Sequence, residues 1–179
     1  SNVLNRNIYC ANDANCFALS EATDGSALNH KIVFGVILGS GCGGGLVIDK
    51  KIITGSNNLS GEWGHNPLPY YGNLNDEKIN LDSDLLVPNI NIERFISGKG
   101  LEDLYFDKFK NRKQAKDIFA NEADHSEFIK NFYNRLSRSL SILINTIDPD
   151  AVVFGGGVSN EIKDLNLIKQ MTGNWSGNK

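Results

Sequence analysis

Short apolar runs along the chain predict strands. Residues 31–38 (KIVFGVIL) and 151–154 (AVVF) are apolar and partly β-branched, as strands covered on both faces of a sheet are, and NIYCA at 7–11 is a shorter run of the same kind. The run at 31–38 leads into the glycine cluster GSGCGGG, and GLVI, an Asp49-Lys50 turn and KIIT then predict a hairpin. The run at 151–154 leads into a second glycine cluster at 155–157, so two of the strands run directly into glycine-rich turns.

Apolar residues at helical spacing predict the helices that connect these strands. The segment SEFIKNFYNRLSRSLSILINTI carries the strongest pattern, a single apolar stripe that ends at Asp148-Pro149, because the residue before proline disfavours the α region. The other helices are predicted behind a cap at Asn12 or Asp13, near Ile92, and at 101–109, 115–121 and about 161–171. Strands that alternate with helices indicate an α/β fold.

Three stretches lack a regular pattern. Residues 55–88 are polar and contain three of the four prolines, which predicts a long functional or mobile loop. The closing TGNWSGNK, residues 172–179, predicts a frayed tail. Because the only methionine is Met171, Ser1 is not expected to be the start of translation, and we expect the fold to be incomplete at both ends.

Length, composition and charge limit the classes of function. A chain of 179 residues with 40% hydrophobic and 22% charged residues is sufficient for one globular domain. The net charge of -3 offers no excess of cations for nucleic acid or for a membrane surface, and no spanning segment or secretory signal is visible, so we expect a cytoplasmic location. Cys10, Cys16 and Cys42 form no disulfide or C-x-x-C pattern and are expected to be reduced and mostly buried.

The two glycine turns are the first candidates for chemistry. Gly39, Ser40 and Gly41 follow one predicted strand, and residues 155–157, all glycine, follow another. Backbone N–H groups in such turns can approach an anion because no Cβ blocks it, so phosphate binding is one interpretation. A tight turn between strands is the other, since neither sequence is a Walker loop or a dinucleotide fingerprint.

Three carboxylates and a histidine are the next candidates. Asp13 opens a predicted helix, where a carboxylate is either a helix cap or a general base for a hydroxyl. Glu62 and His65 lie in Gly-Glu-Trp-Gly-His, whose glycines would let a ligand approach the backbone. Carboxylate and imidazole groups suit sugar hydroxyls, although a solvated surface turn is equally consistent. Glu93 begins a predicted helix, where a carboxylate by itself indicates compensation of the helix dipole rather than a ligand-binding group.

Five segments in this order resemble one protein family. They are ANDANCFALSEA, ILGSGCGGG, GEWGHNPLP, IERFISGKG and DPDAVVFGGGVSN, and they span about residues 7–160. Together they resemble the ROK family of sugar kinases and repressors, most closely its bacterial fructokinase (mannokinase) branch. The resemblance implies an actin-like, hexokinase-like ATPase fold of two lobes, with a ribonuclease H-like mixed sheet, flanking helices, and sugar and ATP meeting in the cleft.

The resemblance also implies a role for each candidate residue. Asp13 resembles the catalytic base. Four residues resemble ligands of the sugar hydroxyls: Asn12, Glu62, His65 and Glu93. The turn at Gly39, Ser40 and Gly41 resembles a phosphate-binding turn, with serine where the family usually has threonine. The glycines at the second turn resemble an adenosine-binding turn: Gly155, Gly156 and Gly157.

Two departures from the family pattern modify this expectation. The family commonly holds a structural zinc with three cysteines shortly before the equivalent of Glu93, but no cysteine follows Cys42, so we expect that zinc to be absent. Without it the loop at 55–88 is expected to be mobile. The family's amino-terminal Asp-x-Gly-x-Thr phosphate turn is not found in the chain, which therefore resembles the large lobe only.

The resemblance implies an ATP- and Mg²⁺-dependent hexose kinase that phosphorylates the 6-hydroxyl group. GEWGHNPLP and FISGKG favour fructose, and N-acetylglucosamine or glucose are the alternatives. The chain by itself is expected to be inactive, and the family makes a homodimer plausible. A sugar-sensing repressor domain, or a kinase relative that binds sugar without turnover, is the second hypothesis; a retained proton acceptor at Asp13 favours the enzyme.

Overall fold

A four-stranded mixed sheet forms the centre of the protein. The computed structural model describes residues 6–7, 10–77, 90–120 and 126–177. The strands are β1 (Ile32–Leu38), β2 (Cys42–Ile48), β3 (Lys51–Ile53) and β4 (Ala151–Gly155), in the spatial order β3-β2-β1-β4. β1 pairs antiparallel with β2 and parallel with β4, and β2 pairs antiparallel with β3. The predicted hairpin is confirmed, and its turn has positive φ at Asp49 and Lys50, as tight hairpin turns require.

Six α-helices surround the sheet within the described residues. They are α1 (Asp13–Thr23), α2 (Ile92–Ile96), α3 (Gly98–Phe109), α4 (Ala115–Ala120), α5 (Ser126–Ile147) and α6 (Leu165–Trp175). α1 packs on one face of the sheet through small side chains, and its buried alanines meet Val33 and Val47. Phe34, Val36 and Leu38 point to the opposite face, into a larger core formed with α2, α3 and α5. Both faces of β1 are therefore covered, as its uninterrupted apolar sequence predicts.

The structure corrects several sequence-based boundaries. The glycine cluster at 39–45 is a turn only as far as Gly41, because Cys42 already begins β2. The expected tail at 172–179 is helical through Trp175, since Thr172 is buried and the Trp175 ring packs against Tyr70 at a centroid distance of 4.9 Å. The last helix begins at Leu165 rather than near Glu161. Cys10 and Cys16 are exposed, so only Cys42 is a buried thiol.

The long polar segment after β3 is a loop with little regular structure, as expected. Two 3-10 turns occur in its described part, at Trp63–His65 and Asn75–Glu77, and Pro67 forms an isolated antiparallel bridge with Asn91. Residues 78–88 of the predicted loop lie outside the described residues, as do residues 8 and 9 of the predicted first strand. None of the described helices has the length and apolar character needed to cross a bilayer.

Candidate active site

Four elements converge on one cavity of about 410 Å³. They are the start of α1, the turn between β1 and β2, the 3-10 turn at Trp63–His65, and the start of α2. Every residue predicted to bind sugar or to act as base lines this cavity, and so does the first glycine turn: Asn12, Asp13, Gly39, Ser40, Gly41, Glu62, His65 and Glu93. Residues separated by up to 81 positions in the sequence are thus brought together.

The start of α1 shows which residue caps the helix and which carboxylate remains available as a base. Asn12 is the helix cap, and its side-chain oxygen accepts a hydrogen bond from the Asn15 N–H at 3.1 Å. Asp13 is exposed, and one oxygen accepts a bond from the N–H of the next residue, Ala14, at 2.8 Å. Among the described residues its second oxygen has no partner. Asp13 is therefore available as a proton acceptor, whereas Asn12, whose oxygen caps the helix, has its amide N–H groups available for a ligand.

Trp63 anchors the turn that carries Glu62 and His65. Its buried indole N–H donates to the Gly43 carbonyl at 2.9 Å, and its ring packs edge-to-face on Phe34. The flanking glycines serve this packing rather than ligand approach, because a Cβ at Gly64 would lie 2.3 Å from the Cys42 carbonyl oxygen. His65 Nε2 lies 3.6 Å from Glu62 Oε2, and both side chains remain accessible, 70% and 41% exposed. The polar tips therefore face the cavity while the indole fixes their backbone.

Glu93 joins α2 to the first glycine turn. Its Oε2 accepts a hydrogen bond from the Cys42 N–H at 2.8 Å, and the carboxylate is half-buried. A Cβ on Gly41 would lie 2.8 Å from the same oxygen, so this position has no room for a side chain. Burial, together with the nearby Glu93 charge, raises the pKa of the Cys42 thiol well above its ordinary value. Cys42 is thus a neutral thiol in the wall of the cavity.

A second cavity of about 760 Å³ shares Gly39 and Ser40 with the first. The two glycine turns meet here because β1 and β4 are parallel and end side by side, and the Val158 N–H donates to the Leu38 carbonyl at 2.8 Å. Of the second turn only Gly157 lines the cavity. Gly155 packs against the Phe17 ring, and Gly156 has φ of 91° with no space for a Cβ beside the Leu38 carbonyl. The second turn therefore brings one glycine, not three, to this cavity.

The charges of the two cavities differ. Asp13, Glu62 and Glu93 make the first cavity acidic, which suits neutral hydroxyl donors and not phosphate. The second cavity carries Lys99 and Lys116 beside Glu102 and Glu161, so cations are available near the shared turn. The residues present fit a nucleotide there, since an open glycine turn and two lysines border one space. The described residues contain no group of three His, Cys, Asp or Glu that could hold a metal ion.

Comparison with known proteins identifies the family. The model of the ROK family matches residues 1–178. The chain belongs to the ROK family. An N-acetyl-D-glucosamine kinase of Shigella boydii serotype 4 is 37% identical over 167 residues, which cover 88% of the chain and 54% of that relative. The chain thus spans about half the length of the curated relative that it matches.

Solved structures of ROK proteins have the same fold. A ROK hexokinase from Thermus thermophilus superimposes with a TM-score of 0.78 at 22% identity, over 95% of this chain and 56% of that one. A ROK glucokinase from Streptomyces griseus, in complex with glucose and AMPPNP, gives a TM-score of 0.71 at 23% identity, over 94% and 59%. The expected α/β fold of an actin-like, hexokinase-like ATPase is confirmed. Fructose is not supported, because the relative at 37% identity is named for N-acetylglucosamine.

Sequence reasoning missed several residues of the two cavities. Ala14, Ile37, Gly43 and Gly44 line the first cavity, and Lys99 and Lys116 line the second. Lys99 lies in FISGKG, a segment that the resemblance highlighted without giving the lysine a role. The glycine cluster in the sequence predicts a turn at Gly43 and Gly44 as well. Both are strand residues: the missing side chain of Gly43 leaves space beside Ala14 of α1, and that of Gly44 leaves space for the Phe34 ring and the Gly61 carbonyl.

Proposed function

We propose that the chain is the sugar- and nucleotide-binding lobe of an ATP-dependent hexose kinase of the ROK family. The observation that carries the proposal is a single acidic cavity that collects Asp13, Glu62, His65 and Glu93 and adjoins a second cavity through Gly39 and Ser40. A neutral polyol fits the first space and a nucleotide with its phosphates fits the second. The two cavities meet at a turn where a phosphoryl group could pass from one ligand to the other.

In the proposed reaction Asp13 accepts the proton of the sugar's 6-hydroxyl group. Its second carboxylate oxygen is free to do so, while the bond from Ala14 holds the first. Glu62, His65 and Glu93 orient the other hydroxyls as acceptors, and Asn12 donates from its amide. ATP with Mg²⁺ supplies the phosphoryl group, and the backbone at 39–41 with Lys99 would border its phosphates. Positioning and proton transfer are thus the contributions of this chain.

N-acetylglucosamine is the acceptor that we propose first. The support is that the relative at 37% identity is named an N-acetyl-D-glucosamine kinase. Fructose, the expectation from GEWGHNPLP and FISGKG, and glucose are hexoses with a primary hydroxyl group that the same carboxylate could serve. A panel of these three sugars, with mannose added, covers the family alternatives.

The test is a coupled assay of ADP release by the intact gene product with each sugar of the panel. We expect sugar-dependent ADP release, and Asp13→Asn should lower kcat by about 100-fold or more, because a general base contributes roughly 100- to 10,000-fold. Its sugar affinity, measured by calorimetry, should change little. Asp24→Asn, the same exchange at the other end of α1, is the matched control and should leave kcat unchanged.

One result would contradict the kinase proposal, and another would contradict the role of Asp13 within it. Sugar binding without ADP release from any sugar would favour the second hypothesis, a sugar-sensing module. Full activity of the Asp13→Asn variant would remove the proposed base while leaving the kinase itself intact.

A further inference from the structure

Three charged side chains are buried in the core and line neither of the two cavities. Glu77, Arg135 and Arg138 are each 0% exposed. Arg138 Nη2 donates to Glu77 Oε1, and Arg135 Nε donates to the same oxygen at 3.2 Å. Burying an unpaired ion costs several kcal/mol, so charges at this depth occur where partners compensate them. Here they do: Asp76 pairs with Arg135 at 2.5 Å, which balances two cations with two anions.

Part of the remaining hydrogen-bonding capacity of this ion cluster is directed to loop backbone. Arg138 Nη1 donates to the carbonyls of Pro69 and Tyr70, at 2.9 and 2.8 Å. Glu77 Oε2 accepts from the N–H groups of Gly72 and Leu74, at 3.0 and 3.3 Å. Residues 69–74 have neither strand nor helix of their own. Glu77 and Arg138 therefore hold this loop through its backbone, in addition to the packing of Tyr70 on Trp175, and Arg138 belongs to the core helix α5.

This stretch of loop connects directly to the sugar-facing groups. Residues 66–68 follow His65 and pair with 90–92, which precede Glu93, through the bonds Leu68 N–H to Ile90 O and Ile92 N–H to Asn66 O, both 2.8 Å. Arg135 also places its guanidinium 5.8 Å from the Phe95 ring centre on α2. A shift of the loop would thus act on the segment of Glu62 and His65 and on that of Glu93 at once.

We infer that Glu77, Arg135 and Arg138 are positioning residues for sugar recognition: they tie the loop at 69–77 to α5 and thereby fix where Glu62, His65 and Glu93 stand around the sugar. The inference rests on the proposed function. None of the three touches the cavity of the proposed acceptor, and the nucleotide cavity is lined by other segments. Substitution of these residues should therefore weaken the binding of the sugar and leave the binding of the nucleotide unchanged.

The test compares Michaelis constants for sugar and for ATP in the intact gene product. The double variant Glu77→Leu/Arg138→Met removes one charge of each sign and leaves the Arg135–Asp76 pair, an exchange of a buried ion pair for apolar residues that folds often tolerate. We expect the KM for the sugar to rise about tenfold or more and the KM for ATP to stay within about twofold, because the loss of two or more loop hydrogen bonds shifts only the sugar groups.

Arg138→Lys separates charge from geometry. Lysine keeps the positive charge but cannot reach Glu77 and both carbonyls together as the guanidinium fork does, so the KM for the sugar should again rise. The matched control is Glu127→Leu/Lys108→Met, which removes an exposed ion pair and should change neither constant. Thermal unfolding followed by circular dichroism checks that each variant is folded.

The outcomes separate the two proposals. A folded double variant with the sugar KM of the wild type overturns the inference, and so does an equal rise in both Michaelis constants, which a merely structural role would produce. If the double variant does not fold, Arg138→Lys decides by the same criteria. Absence of sugar-dependent ADP release by the wild type overturns the proposed function and this inference with it.

Discussion

At the scale of single residues, Glu93 is the group on which the candidate site depends most. One carboxylate oxygen holds the Cys42 N–H at the end of the glycine turn, while the side chain also borders the proposed sugar cavity. A hydrogen bond to a charged group contributes about 1.5–3 kcal/mol. This contact therefore holds the Glu93 carboxylate directly against the end of the turn, while the Gly98 N–H to Gly39 carbonyl bond at 2.7 Å ties the turn to the start of α3.

Gly41 tests this dependence. Gly41→Ala would place a Cβ 2.8 Å from Glu93 Oε2, so the carboxylate must move and the bond from Cys42 must weaken. We expect the KM for the sugar to rise about 10- to 100-fold, which corresponds to the loss of one charged hydrogen bond. Steady-state kinetics of the intact gene product across sugar concentrations measures it.

A second glycine provides the control for that substitution. Gly173 lies in α6, where an added Cβ would meet nothing within 4 Å, so Gly173→Ala should leave the sugar KM unchanged and should if anything stabilise the helix. A Gly41→Ala variant with the kinetics of the wild type would show that Glu93 does not have to stay in place for sugar to bind.

At the scale of elements, the sequence pattern predicts those features that depend on residues close together in the chain. The stripe of α5, the turn at Asp49 and Lys50, and the cap before α1 depend on residues within one or two turns of each other, and all three are confirmed. The sequence also predicts which residues line the first cavity, although through family resemblance and not through spacing.

Contacts that join distant segments could not be predicted in this way. The sequence from Thr172 onward carries no apolar stripe that would predict a helix, yet Thr172 is buried and Trp175 packs on Tyr70 at the end of α6. Glu77 reads as an ordinary charge in a polar loop, because its partners Arg135 and Arg138 lie about sixty residues further along. Gly155 and Gly157 look alike in sequence but face opposite surroundings, a ring and a cavity.

The junction of β1 and β4 gives a prediction about pH. Main-chain N–H groups of Ile32 and Lys31 donate to the Asp150 carboxylate and hold the pKa of that group below its ordinary value of 3.8. Since the folded-state pKa is the lower one, the bonds stabilise the fold above about pH 4 and their contribution is lost as the pH falls through the folded-state pKa. Asp150→Asn should thus unfold at lower urea than the wild type at pH 7, and the difference should shrink in acid.

Urea unfolding at about pH 7 and about pH 3 measures this difference. Asp148→Asn is the matched control two residues away, because its carboxylate accepts no hydrogen bond within the part of the chain described, and it should match the wild type at pH 7. A difference between Asp150→Asn and the wild type that stays constant down to acid pH would contradict the assignment of these bonds as the cause.

At the scale of the whole molecule, the sheet explains why the two cavities adjoin. β1 and β4 run parallel and end at the same edge, so the turns that follow them lie side by side, and the loop after β3 and the start of α2 cover the outer side of the first turn. All of the proposed sugar ligands lie among the described residues of this chain. The proposed phosphate site, by contrast, is bordered within the described residues by groups of one open cavity, Gly39, Ser40, Lys99 and Gly157.

This asymmetry predicts that sugar binding and phosphoryl transfer can be separated. The 179-residue chain alone should bind the preferred sugar within about tenfold of the intact gene product, because the same groups contact it, yet release ADP at less than about 1% of the rate. Transfer requires the phosphates and Mg²⁺ to be held from both sides in line with the hydroxyl group. The N-acetyl-D-glucosamine kinase of Shigella boydii has a further part to supply the second side, because the match covers only 54% of its length.

Calorimetry with the sugar and the coupled ADP assay, run on both proteins at equal concentration, measure the two quantities. ADP release by the isolated chain at the rate of the intact protein would show that this lobe holds the donor by itself, whereas loss of sugar binding would place part of the sugar site outside these residues.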